Sequence, residues 1–350
     1  MKEAVFLQEV KEIQLLKNAL TLLDWDSSTG MPEKSSPFRG EVEGYLTGLY
    51  FERSIGPVIQ EALAYFETRP EELSELGKLV FEKVKEEYAL NKNVPAERMQ
   101  EYVKVLNQAH TDWLKARAAQ DFGLLEETLT KVVAFQKEFI PYWQKEEKTP
   151  YDVLLNQFEP GMTVEKLDQV FDQVKQGIQE IRTVLAEKGT PPRTDFLSRK
   201  MTKEQQRRFV IGVVEQLGYD FSKGRLDDTV HPFMTALNRN DARITTRWEE
   251  NNFSMATFGV IHEAGHGMYE QNFDPKFDFT PLSEGASMGI HESQSLFNEI
   301  IIGSNRAFWQ KQYPFFQECA EGTFDDIAFE DFYASLKETK ASLIRIDSDS

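Results

Sequence analysis

The chain has 350 residues, 40% of them hydrophobic and 28% charged, and carries a formal net charge of −18 at pH 7. That composition belongs to a globular protein able to bury a sizeable core, and it excludes disordered and fibrous classes. The acidic balance repels phosphate backbones and anionic bilayer surfaces, so neither nucleic acid nor a membrane is an expected partner.

The single Cys319 makes no internal disulfide and fits a reducing compartment. The N-terminus MKEAVFLQEVKEIQ is interrupted by acids, and no stretch approaches the roughly 18 apolar residues of a membrane span, so a cytoplasmic protein is expected. Phe6, Val10, Ile13, Leu16, Leu20 and Leu23 recur at helical spacing and predict a helix over 4–25, ending near Trp25 and Asp26. The serines, glycines and prolines of 27–40 predict a loop. Five helices are expected next, over 40–53, 57–67, 72–91, 95–119 and 123–143, broken at Gly56-Pro57, Arg69-Pro70, Val94-Pro95 and Gly123. Within them His110, flanked by Lys104, Gln108 and Asp112, reads as a structural or surface histidine.

A long helix over 163–189 follows, with Thr163 as cap and Leu167, Val170, Phe171, Val174 and Ile178 on one face. Beyond the proline-marked GTPPRTDF lies a helix over 202–217, closed by Gly218. The pattern then changes: turn residues mix with β-branched runs, and 243–248 alternates as a strand does. A small sheet is therefore expected to lead into a helix that carries FGVIHEAGHGMYE, with further helices over 284–302 and 328–343. No repeat or linker divides the chain, so a single helical domain is expected, with 1–220 as a helical wall and 221–350 holding the sheet and metal-binding helices.

Within that central helix stands the pattern HExxH. His262 and His266 are four residues apart, on one helical face a turn from each other, where two imidazoles reach one Zn²⁺ ion. Glu263 is rotated off that stripe and is free to take a proton from a metal-bound water and return it to a leaving amine. The alternative is a helix whose histidines satisfy hydrogen bonds in a core. A catalytic zinc usually has three protein ligands, so one is still required. Glu270 continues the stripe but lies a further turn along, about 5 to 6 Å, and reads as an outer partner or a surface residue. His291 and Glu292 adjoin each other on the next predicted helix, and only one of them can face the metal; zinc chemistry alone does not choose.

HEAGH followed by HESQSLF resembles the carboxypeptidase Taq family of zinc metallocarboxypeptidases. The likeness extends to Trp25-Asp26, to HPF at 231–233, to DARITTRW at 241–248 and to LIRIDSD at 343–349. It implies that Glu292 is the third ligand, and that Co²⁺ often replaces Zn²⁺. It implies a mainly α-helical zincin with a deep groove and a small β-sheet next to the HExxH helix, usually a homodimer, which removes single C-terminal residues of broad identity from peptides. Against that family the chain has Ser348 where alanine is usual and Ser350 where an acid is usual. It also lacks the family's C-terminal third, including the motifs HIxIRYE and GxxQDxHW and a tyrosine that assists the tetrahedral intermediate.

An exopeptidase must grip the free C-terminal carboxylate, for which a planar guanidinium is suited. Arg345 is the first candidate and Arg243 and Arg247 the others, each of which has the protein's own carboxylates as competing partners. His231 is a further substrate-orienting or structural residue, and Asp241 a partner for an arginine or a ligand imidazole. The rival readings are an oligopeptide endopeptidase on a similar scaffold, without the carboxylate anchor, and an inactive zinc-binding fragment. The intact Glu263 speaks against the latter.

Overall fold

The computed structural model describes residues 1–339, so Arg345 and the 343–349 segment lie outside the described residues. Two compact units emerge, one built from 1–164 and 274–284, the other from 165–273 and 285 onward.

The first unit is all helix: α1 Glu3–Thr29, α2 Ser36–Ser54, α3 Pro57–Phe66, α4 Glu75–Asn91, α5 Ala96–Ala119, α6 Gly123–Trp143 and α7 Pro150–Phe158. Phe6, Val10 and Ile13 of α1 pack on Ile59, Ala62 and Phe66 of α3 and on Val80, Phe81 and Val84 of α4. A second cluster joins Phe51, Val94, Phe135 and Phe139. The loop expected over 27–40 is largely helix instead. Pro37 occupies the first turn of α2, where its missing N–H breaks no helical bond, so the proline starts the helix rather than stopping it. Helix α7 went unanticipated, although Thr149 and Asp152 cap it reciprocally and Pro150 opens it. The segment 274–284 joins this unit through Leu282, which packs on the α1 cluster, and through a Glu284 Oε1 to Lys17 Nζ ion pair of 2.5 Å.

The second unit begins with α8 Val164–Lys188 and α9 Lys203–Leu217. Helix α9 matches its sequence signals at both ends: Thr202 and Gln205 form a capping box, and Gly218 closes it at φ 115°, a left-handed conformation that costs glycine nothing. Then come β1 Leu226–Asp228, β2 Met234–Asn238 and β3 Asp241–Thr246, in spatial order β1-β3-β2, with β1 parallel and β2 antiparallel to β3. Helix α10, Phe253–Gln271, follows directly, and after it α11 Met288–Leu296, a π-helical turn Phe297–Ile302, α12 Arg306–Cys319 and α13 Phe329–Ser335. The helix expected over 284–302 thus starts only at Met288, after the Ser287 cap, and ends in a widened turn. The one expected over 328–343 is helical to Ser335 among the described residues.

The core of this unit surrounds α10. Phe253, Val260, Ile261 and Ala264 of α10 pack with Phe209, Val210 and Val213 of α9, Ile244 of β3, Trp309 and Phe316 of α12 and Phe332 of α13. Helix α12 was masked in the sequence by Pro314, which removes an interior hydrogen bond. Burial of Trp309, Tyr313 and Phe316 on one side of it outweighs that loss. Among the described residues no helix is long and apolar enough to cross a membrane.

Candidate metal centre

Helix α10 is held on most of its circumference, so its polar side chains keep a fixed direction. His262 and His266 share one face, with ring centroids 5.0 Å apart. Helix α11 crosses α10 at Gly265, where a Cβ would lie 2.7 Å from both the Gln294 carbonyl oxygen and the Ser295 Cα. Only glycine between the two histidines lets the α11 backbone approach so closely. The approach delivers Glu292, whose Oε1 lies 3.6 Å from His262 Nε2 and whose Oε2 lies 3.2 Å from His266 Nε2. One ligand atom from each of the three residues lies within 4.8 Å of the others.

Each histidine is also held from behind. His262 Nδ1 is 2.8 Å from Oε2 of the buried Glu299. Glu299 sits in the π-helical turn, where the Gly303 N–H donates to the Asn298 carbonyl five residues back. Sequence reasoning passed over Glu299, yet it lies seven residues after Glu292, two helical turns on, and that spacing was a usable signal. His266 Nδ1 lies 2.5 Å from Nδ1 of His291, whose Nε2 lies 2.9 Å from Oε1 of Glu270. Of the adjacent pair on α11, then, Glu292 faces both Nε2 atoms, and His291 meets His266 on its far side. Glu270 is 5% exposed and partners His291, so it is no surface residue. With both Nδ1 atoms engaged, the two Nε2 lone pairs and a carboxylate converge on one point, a donor set that fits a divalent metal.

Glu263 is 7% exposed, and burial pushes its carboxyl up to about 7, with the Glu292 and Glu299 charges adding to the effect and His262 opposing it. Burial draws His262 down, but its bond to Glu299 and the surrounding carboxylates outweigh this and hold it above the ordinary value. Burial, with the neighbouring His291 and His262, lowers His266 against the pull of Glu292. The bond to His266 leads the causes that hold Glu292 below the usual carboxylate range.

The profile of the carboxypeptidase Taq (M32) metallopeptidases matches residues 5–350. The chain belongs to this family. It is 42% identical over 347 residues to carboxypeptidase 1 of Bacillus subtilis (strain 168), covering 99% of this chain and 69% of that protein. Thermostable carboxypeptidase 1 of Thermus thermophilus is 32% identical, over 97% of this chain and 68% of its own. Among solved structures, BsuCP superposes with a TM-score of 0.94 at 42% identity, covering 97% of this chain and 68% of that one. The M32 carboxypeptidase from Deinococcus radiodurans R1 does so with 0.88 at 32%, with the same coverage. As an M32 protein the chain is a metallocarboxypeptidase with a mainly helical fold, and its reaction requires a divalent metal.

The other expected site residues of this M32 chain fall less centrally. Arg243 makes a two-pronged bond to Asp241, its neighbour on the same face of β3, at 2.8 Å for both contacts. Arg247 lies 3.0 Å from Glu249 Oε1 and donates to the Met255 sulfur, while its buried Nε–H has no partner among the described residues. His231 is exposed in the turn before β2. Arg345 lies outside the described residues.

Proposed function

We propose that this metallocarboxypeptidase uses zinc, held by His262, His266 and Glu292, with Glu263 as general base, to release single residues of broad identity from peptide C-termini. The observation that carries the proposal is the convergence of those three ligand groups beside a buried, proton-hungry Glu263. His262, His266 and Glu292 offer two imidazoles and a carboxylate, donors that would hold Zn²⁺ and that Co²⁺ also accepts. Such an ion, when bound, polarises the scissile carbonyl and acidifies the attacking water. Glu263, adjacent to His262 and buried at the site, would take the proton of that water and hand it to the departing amine.

A guanidinium would anchor the substrate's free carboxylate. Arg345 remains the first choice. Among the described arginines Arg247, with its unpartnered Nε–H, is better placed to accept a new partner than Arg243, which Asp241 already engages. His231 is exposed and free to orient the peptide. A lone buried thiol at Cys319 supports a cytoplasmic setting, and the half-exposed apolar face of α8 supports a homodimer.

Replacement of Glu263 by Gln should leave about one zinc per chain and lower release of the terminal residue from an N-blocked peptide about 10² to 10⁴-fold. Metal analysis and amino-acid release measure the two together, and turnover surviving in the variant refutes the general-base role. Equal cleavage of the C-terminally amidated peptide would refute the carboxylate anchor.

A further inference from the structure

We propose that His291 and Glu270 form a positioning chain that acts on the metal through His266. The proposal rests on His266 being a ligand. The two site histidines are supported differently: Glu299 meets His262 Nδ1 directly, whereas among the described residues no carboxylate reaches His266 Nδ1, which faces Nδ1 of His291 at 2.5 Å. Two ring nitrogens at that separation share one proton, because two lone pairs or two N–H groups pointed at each other repel. Glu270, as an acceptor 2.9 Å from His291 Nε2, requires that nitrogen to donate. With its Nε2 lone pair given to the metal, His266 carries its proton on Nδ1 and donates it to His291 Nδ1. That Nε2 is the atom that faces Glu292.

The chain bridges a length of helix that Glu270 cannot span. Glu270 is one turn beyond His266 on the same stripe of α10, and His291 from α11 fills the interval. The His291 ring is set in place by Tyr269, edge-on with centroids 5.3 Å apart, and by Gly285, whose Cβ would stand 2.6 Å from His291 Cδ2. His291 is therefore a positioning residue. It fixes the tautomer and ring plane of His266 and passes on the pull of a buried carboxylate, which makes Nε2 a better donor.

The experiment is a zinc competition titration of the full chain against a chromophoric chelator. His291→Phe keeps the ring and removes both nitrogens, and Glu270→Leu removes the carboxylate. Each should weaken zinc binding about 10 to 100-fold. The double variant should bind no more weakly than His291→Phe alone, because Glu270 acts through His291. Glu270→Gln, which preserves volume and an accepting oxygen, should retain the tautomer and lose only a few-fold. Zinc affinity unchanged in His291→Phe, or additive losses in the double variant, overturns the chain. His262→Ala separates the two failures: if it loses zinc while His291→Phe does not, only the positioning role falls, and if it too keeps zinc, the metal site falls with it.

Discussion

Glu263 shows how burial raises the proton affinity of a carboxyl group. An ordinary glutamate titrates near 4.5 and this one near 7, so in the metal-free protein the folded state holds its proton more tightly than the unfolded state. The stabilisation is complete below about pH 4.5 and is lost as pH rises through about 7, a window worth on the order of 3 kcal/mol. Urea midpoints of the metal-free chain should therefore fall between about pH 5 and about pH 8, and the fall should be smaller in Glu263→Gln. Parallel pH profiles for the two proteins would contradict the shift. At this scale HExxH and Glu292 were visible as letters. Glu270 was legible as an outer partner and His291 as a neighbour of the site, but their pairing behind His266, and the bond of Glu299 to His262, were not, because a hydrogen bond to a ring nitrogen depends on which face of α11 and its widened turn meets α10.

At the scale of elements, the closeness of α10 and α11 decides whether Glu292, the proposed third ligand, reaches the two histidines. Gly265→Ala places a methyl 2.7 Å from the backbone of α11, which must move away; an overpacked interface of this kind costs about 1 to 3 kcal/mol. Zinc affinity should fall with it, since Glu292 rides on the displaced helix. Gly259→Ala is the control on the same helix. A Cβ there meets nothing within 4 Å, so the better helix former should be neutral or stabilising by up to about 1 kcal/mol. Thermal unfolding and zinc titration of the two variants make the comparison. The ends of α9 were legible because Thr202, Gln205 and Gly218 act within a few residues of themselves. The start of α2 and the whole of α12 were not, because Pro37 and Pro314 carry opposite meanings at the first turn and in the interior of a helix, and only packing tells which applies.

For the whole molecule, α8 is the open question that the fold poses. Val170, Phe171, Val174, Ile178, Ile181, Val184 and Leu185 are all about half exposed, and Leu167, Phe171, Val174, Ile178, Ile181 and Leu185 follow alternating steps of four and three, the spacing of a coiled-coil seam. Two copies paired antiparallel along that seam would set Asp168 of one against Arg182 of the other. Ile178→Glu should then convert a dimer into a monomer in sedimentation velocity without loss of bound zinc. A parent chain that sediments as a monomer refutes the pairing.

The sequence by itself determined the family and the fold class: an HExxH pattern, a downstream HES, an acidic composition and helical periodicity through most of the chain. These are local or compositional properties, written in spacings of three to seven residues and independent of what packs on them. The tertiary structure alone decided that α11 lies against α10 at Gly265, that His291 meets His266 on its far side and links it to Glu270, and that Glu299 stands behind His262. Those facts depend on how two helices separated by a turn-rich segment cross, and a crossing is set by the shapes of both surfaces at once.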